Sequence, residues 1–241
     1  EENPRSGYRQ ITALLRREGW QDPYAGRELL GDYAERWVKE RDLAPKTRAL
    51  YEGLLTRHIG PQLGQVELRQ LTPPMVRRWR QGRLDAGVGA TTVAKAYRLL
   101  KAVMTTAADE DEVIRRNPCR IAGAGQEKAP ERTLLTIGDL YRIAGAIKPW
   151  WRVMVLTAGL LGLRLSELRG LERRDIDLRG RKLYVRRAVV EVEGRMVEGP
   201  PKSTAGERSV AIPEPLVPEL KRQLDERAQA GPLGKVFVGP K

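Results

Sequence analysis

The sequence predicts a mainly α-helical chain with a small antiparallel β-sheet, arranged as a four-helix unit followed by an α+β unit. Three observations predict this. Between residues 28 and 122, apolar residues recur at helical spacing in four runs punctuated by Gly and Pro. Residues 123–131 are small and polar, a composition suited to a linker. From Asp175 to Ile212, alternating segments and turn residues replace the helical period.

The elements follow in order. Ile11, Leu14 and Leu15 give a short helix over residues 9–19, broken by Trp20-Gln21-Asp22-Pro23. From Leu29, the residues Tyr33, Ala34, Trp37 and Val38 form one apolar stripe. Pro45 suits the start of a second helix. That helix runs through Leu50, Leu54, Leu55 and Ile59, and Gly60-Pro61 is expected to stop it. Thr72-Pro73-Pro74 predicts the capped start of a third helix with Val76, Trp79 and Leu84, ending at Gly87 and Gly89. Thr91 or Thr92 is expected to cap a long fourth helix whose face carries Val93, Ala96, Tyr97, Leu100, Val103, Met104 and Ala107.

Beyond the linker, Thr136 is expected to cap a helix through Leu140, Ile143 and Ala144, and Trp150 to Leu161 reads as an apolar core helix. Asp175 to Val190 reads as strand, Glu193-Gly194 as a turn, and Arg195 to Val197 as a short partner strand. Ser209 to Ile212 gives another strand, Leu216 to Leu224 a helix, and Val236-Phe237-Val238 a last short strand.

Charge narrows the partner. The 241 residues hold 44 Lys+Arg against 31 Asp+Glu, a formal net charge of +13. Residues 28–122 carry 17 basic and 12 acidic side chains, and residues 127–241 carry 22 and 15. An excess spread over both units favours a polyanion, since Lys and Arg displace the counterions condensed on phosphates. The alternative is a basic surface kept for solubility.

The single cysteine, Cys119, excludes an intrachain disulfide and fits a reducing cytosol. It reads as a small buried hydrophobe. One Cys and one His, His58, also argue against a structural zinc site. No run of 18 apolar residues and no signal peptide is evident.

Two motifs carry the chemistry. The first is Gly162-Leu163-Arg164-Leu165-Ser166-Glu167-Leu168, directly after the apolar helix. It resembles the first active-site box of the tyrosine recombinases, the phage-integrase family. The second, Pro201-Lys202-Ser203-Thr204-Ala205-Gly206-Glu207-Arg208-Ser209-Val210, resembles the hairpin that carries the family's lysine. Tyr33 to Trp37, Pro45-Lys46-Thr47, His58 to Gly64, Leu71-Thr72-Pro73 and Asn117-Pro118 resemble the family's core-binding domain. The resemblance covers most of residues 20–241. It implies a linker and helix remnant over 1–27 after an absent arm-binding sheet, and a SAM-like four-helix core-binding domain over 28–122. A linker over 123–131 and a catalytic domain over 132–241 follow, the latter incomplete at its C-terminus.

The implied reaction is DNA strand cleavage and rejoining through a 3′-phosphotyrosyl bond. The covalent intermediate conserves the bond energy, so no metal, ATP or other cofactor is called for. Charge builds on the non-bridging phosphate oxygens, and a guanidinium meets them with two parallel hydrogen bonds. A preorganised donor of this kind contributes about 3–4 kcal/mol. The resemblance gives Arg164 that role. Glu167 orients Arg164 or caps the helix start. Lys202 is the general acid for the departing 5′-oxygen. Lys182 and Lys221 lack its Pro-Lys-Ser setting. Alternatively, Arg164 is a surface arginine paired at i,i+3 with Glu167, and Lys202 a turn lysine contacting phosphate. The family's second box and tyrosine have no match here. Tyr184 falls between the two motifs, out of family order, and reads as a strand residue. These 241 residues are therefore expected not to cleave DNA alone.

On the fourth helix Lys95, Arg98 and Lys101 lie off the apolar face as a basic stripe that suits a DNA groove. Thr91 and Thr92 offer hydroxyls and amides to phosphate. Thr47 and Arg48 resemble a second contact, and Arg77 and Arg78, with Arg80, form another basic cluster. The expected partner is a double-stranded DNA attachment site in a bacterial or phage cytoplasm, bound by a homotetramer at full length and by a monomer as this segment. A non-catalytic DNA-binding protein with a degenerate fold of this type is the alternative. A protein–protein adaptor with incidental charge stands further off.

Overall fold

A computed structural model describes residues 25–127, 133–201 and 204–239. The expected helix over 9–19 lies outside them. The chain divides into two compact units, Glu1–Pro130 and Glu131–Lys241.

The first unit is helical. Helix α1, Leu30–Glu40, buries Leu30, Tyr33, Ala34 and Val38 on one face. Helix α2, Pro45–Leu54, opens with its proline in the first turn, where a missing N–H costs nothing. Gly60-Pro61 does not end this helical run. The backbone widens into a π-helical turn over Leu55–Ile59 and then resumes as α3, Gly60–Leu63. The wide turn places Pro61 in a first helical turn, which it tolerates. Leu50, expected on the apolar stripe, is 43% exposed.

Helix α4, Pro73–Asp85, buries Val76 and Trp79, and the Trp79 indole donates to the His58 carbonyl at 2.8 Å. Thr72 occupies the N-cap position, but its side chain makes no capping bond. Helix α5, Ala90–Thr105, buries Val93, Ala96, Tyr97, Leu100, Val103 and Met104. Its N-cap is Gly89, so Thr91 and Thr92 lie inside the first turn rather than capping it. Each fully buried Leu of this core contributes about 1.5–3 kcal/mol.

A second π-helical turn, Thr106–Glu110, follows α5. It places the Thr106 hydroxyl to accept from the Trp37 indole at 2.9 Å and from Arg41 at 2.7 Å. Asn117 then ties down the segment that leaves this turn. Its amide donates to the Lys101 carbonyl at 3.0 Å and to Thr105 Oγ1 at 2.8 Å, and its oxygen accepts from the Cys119 N–H at 2.8 Å. Cys119 is buried as expected, and burial pushes its thiol up to about 12.

The second unit is α+β. Helix α6, Ile137–Ala146, begins with the expected cap. The Asp139 N–H donates to Thr136 Oγ1 at 3.1 Å, and the Thr136 N–H donates back to Asp139 at 2.9 Å. Helix α7, Arg152–Leu161, buries Val153, Leu156, Thr157 and Leu161. Helix α8, Leu165–Gly170, is short.

The segment Asp175 to Val190 is not one strand. It forms β1, Ile176–Asp177, and β2, Lys182–Val185, and then enters β3, Ala188–Val192. Strand β4, Arg195–Gly199, pairs with β3 across Glu193-Gly194. Both turn residues have positive φ, 50° and 76°, as a tight right-twisted hairpin requires. Strand β5, Arg208–Ala211, returns to β2, giving an antiparallel sheet in the order β1-β2-β5 beside the β3-β4 hairpin.

Helix α9, Val217–Glu226, packs Leu220 into the same core. Val236 and Phe237 are buried there without joining a sheet. The Val236 N–H donates to the Leu171 carbonyl at 3.0 Å, and the Val236 carbonyl accepts from Gln223 at 2.8 Å. The expected last strand is thus a core-filling segment. Among the described residues, no helix is long and apolar enough to cross a membrane.

Candidate functional site

The site in the second unit begins where α7 stops. Gly162 adopts φ 64°, ψ 30°, the left-handed conformation that closes a helix, and its N–H donates to the Ala158 carbonyl at 3.0 Å. Leu163 returns to the core. Arg164 is extended and forms the N-cap of α8, with its carbonyl accepting from the Leu168 N–H at 3.0 Å.

Glu167 is the pivot. It is 2% exposed and accepts four hydrogen bonds. Oε2 takes the Arg164 N–H at 2.9 Å and Arg208 Nη2 at 3.0 Å. Oε1 takes Arg164 Nη1 at 2.9 Å and Arg208 Nη1 at 3.1 Å. Burial alone raises a carboxyl's pKa. Here the donors from Arg208 and Arg164 overcome it and bring Glu167 down to about 2. Glu167 in turn raises the Arg208 guanidinium above its ordinary value.

Arg164 therefore has one edge fixed by a buried carboxylate while its side chain is 63% exposed. Nη1 makes the side-chain bond to Glu167, and the exposure of the side chain leaves room for an anion. The i,i+3 pair with Glu167 is present. It differs from an ordinary surface pair because the acid is buried and doubly held.

Lys202 lies outside the described residues. The residues flanking its segment, Pro201 and Gly206, are both buried. They pack so closely that a Cβ on Gly206 meets Pro201 Cβ at 2.5 Å. Only glycine fits there. Tyr184 sits half-buried on β2, with the Arg186 guanidinium 4.8 Å from its ring centre.

Below α8 lies a second ionic cluster that the sequence did not signal. Asp175 is fully buried and binds Arg187 at 2.5 Å and Arg186 at 2.9 Å. Arg187 also reaches Glu172 at 3.1 Å and donates to the Gly170 carbonyl at 3.2 Å. This ties the end of α8 to the start of β3 and holds the helix that carries Glu167.

In the first unit the expected basic stripe is on the surface of α5. Lys95 and Arg98 both pair with Glu127, Lys95 at 3.9 Å and Arg98 through a hydrogen bond. Lys101 and Thr91 are exposed, and Thr92 is half-buried. Arg77 and Arg78 are exposed on α4. Thr47 is half-buried on α2. Arg48 is tied into the fold. It donates to the Val38 carbonyl at 2.6 Å and the Arg41 carbonyl at 2.7 Å, closing the C-terminus of α1.

Comparison with known proteins agrees with this architecture. The phage integrase N-terminal SAM-like domain family matches residues 29–83. A prophage phiRv2 integrase of Mycobacterium tuberculosis is 39% identical over 209 residues, covering 86% of this chain and 55% of the relative. The integrase of Mycobacterium phage L5 is 35% identical over 239 residues, covering 93% of this chain and 62% of the relative. The chain thus spans little more than half the length of these curated relatives. Among solved structures, the Tn1549 transposon integrase in complex with transposon right end DNA superposes with a TM-score of 0.75 at 20% identity. That match covers 88% of this chain and 71% of the other. A lambda integrase dimer bound to a COC′ core site gives 0.61 at 18% identity, covering 88% and 73%. The fold is that of an integrase, and the chain is similar in sequence to prophage and phage integrases and to a XerC-like tyrosine recombinase.

Proposed function

We propose that this chain is the DNA-gripping and phosphate-binding portion of a site-specific tyrosine recombinase. Residues 28–122 form the core-binding domain, 123–131 the linker and 132–241 the catalytic portion. Arg164 meets the non-bridging oxygens of the scissile phosphate, Glu167 holds it there, and Lys202 protonates the departing 5′-oxygen. The nucleophilic tyrosine is not among these residues, and the partner is a double-stranded DNA attachment site bound by a tetramer of the full recombinase in the cytoplasm. The observation that carries this reading is an exposed guanidinium anchored along one edge by a buried, ionised carboxylate.

Such an anchor suits an oxyanion ligand, because the donors are aimed before the phosphate arrives and need no reorganisation as charge develops. In the helical unit, Lys95, Arg98 and Lys101, with Thr91 and Thr92, lie on one helix that tracks the duplex, while Thr47, Arg77 and Arg78 add backbone contacts. Arg48 contributes there by closing α1. The relatives solved with DNA, Tn1549 integrase and lambda integrase, support the choice of ligand.

The test is DNA binding by the 241-residue chain together with a suicide substrate. Salt-dependent duplex binding that Arg164→Ala weakens, with no covalent adduct, is expected. No measurable duplex affinity overturns the recombinase reading, and a covalent adduct from these residues alone overturns the placement of the nucleophile.

A further inference from the structure

We propose that Arg208 is a positioning residue of the site: it locks Glu167 so that Glu167 locks Arg164. The inference rests on the reading of Arg164 as a phosphate ligand.

Three observations carry it. First, Arg208 grips Glu167 through both terminal nitrogens, one to each carboxylate oxygen, at 3.1 and 3.0 Å. This parallel fork fixes the plane of the carboxylate, which a single point charge does not. Arg164 donates to the same two oxygens from its main chain and side chain, so the plane that Arg208 sets is the plane Arg164 must meet.

Second, the anchor comes from a distant strand. Arg208 opens β5 and is held opposite Val185 of β2 by the sheet register. The sheet thereby transmits its rigidity to Arg164, which caps a six-residue helix and is otherwise held only from three residues away.

Third, Arg208 Nη1 also donates to the Gly206 carbonyl at 3.1 Å, and Gly206 is packed on Pro201. One guanidinium therefore bonds both the acid that orients Arg164 and the Gly206 carbonyl two residues before Arg208. The side chain is 29% exposed, less than half as open as Arg164, so it serves as a strut while Arg164 offers its free face.

The experiment uses the 241-residue chain and the variants Arg208→Lys, Arg208→Ala, Arg164→Ala and Arg164→Ala with Arg208→Lys. Arginine-selective nitrogen NMR reads the Arg164 guanidinium, and binding to a plain duplex reads its phosphate contact. A resolved, slowly exchanging Arg164 guanidinium signal is expected in the wild type and lost in Arg208→Lys, whose thermal midpoint stays close to wild type. Arg164→Ala weakens duplex binding by about threefold to tenfold, Arg208→Lys does so by no more, and the double variant shows no further loss.

An Arg164 signal unchanged in both Arg208→Lys and Arg208→Ala overturns the positioning role. So do losses that multiply in the double variant, because Arg208 then acts independently of Arg164. If Arg164→Ala binds DNA as well as wild type while the Arg164 signal of the wild-type chain is lost in Arg208→Lys, the positioning geometry stands and the recombinase reading of Arg164 fails.

Discussion

Two glutamates each hold two cations, and they do so in opposite ways. Glu127 pairs with Lys95 and Arg98 at the surface of the helical unit, with all three side chains between 31% and 52% exposed. Glu167 pairs with Arg164 and Arg208 in the α+β unit and is 2% exposed. An exposed ion pair is worth at most about 1 kcal/mol and yields to salt or to a competing phosphate. A buried carboxylate stripped of water depends on its partners, and removing either side leaves an uncompensated group. Glu127 is therefore an exchangeable surface partner, whereas Glu167 is a fixture of the fold.

The widest separation between the two comes from deleting each acid. Glu167→Ala is expected to destabilise the chain by about 3 kcal/mol, seen as a lower denaturant midpoint, because two arginines lose their common acceptor. Equal stability would place Glu167 in the same class as Glu127. Next in size is the stripe itself. Lys95→Ala with Arg98→Ala should weaken duplex binding and reduce the slope of log affinity against log salt by about 2. An unchanged slope removes α5 from the interface.

Acid sharpens the contrast further. Glu167 has a folded pKa near 2 against an ordinary 4.5, so the folded state is favoured by its ionisation above pH 4.5. That contribution drains away as pH falls from 4.5 through 2. Thermal midpoints should drop over this window, and Glu167→Gln should flatten the drop. The smallest effect belongs to Glu127→Gln, expected to leave the thermal midpoint in place and to tighten duplex binding by about twofold to fivefold as the stripe loses its resident anion. Weaker binding there would mean that Glu127 orients the stripe rather than occupying it.

Much of this was readable from the chain. The apolar periods of α1, α4 and α5 survive in the structure because a helix face must be buried somewhere, whatever its neighbours. The Arg164–Glu167 contact was readable because three residues along a helix are neighbours by geometry. Arg208 was not, although it lies within the second motif, because its partner lies 41 residues away and only the β2-β5 pairing brings them together. The Asp175 cluster was not legible because Arg186 and Arg187 lie 11 and 12 residues away, at no helical or strand spacing from it. The π-helical turns escaped because one extra residue in a turn leaves the apolar spacing nearly intact. Val236 and Phe237 misled because a buried apolar run has the same composition whether or not its backbone joins a sheet. Arg48 shows the limit for charges: sequence reveals a cation, but not that it binds the Val38 carbonyl of α1 and the carbonyl of its C-cap, Arg41.

Gly162 sets the angular phase between two helices. Without its left-handed kink, α7 would wind on, and each residue would advance by about 100°. Arg164 would then be an interior helix residue on another azimuth, its N–H turned along the helix instead of to Glu167. A methyl group at this position costs about 1–2 kcal/mol in backbone strain, so the swap to alanine tests whether the chain accepts the strain or rewinds and throws the arginine off its bearing.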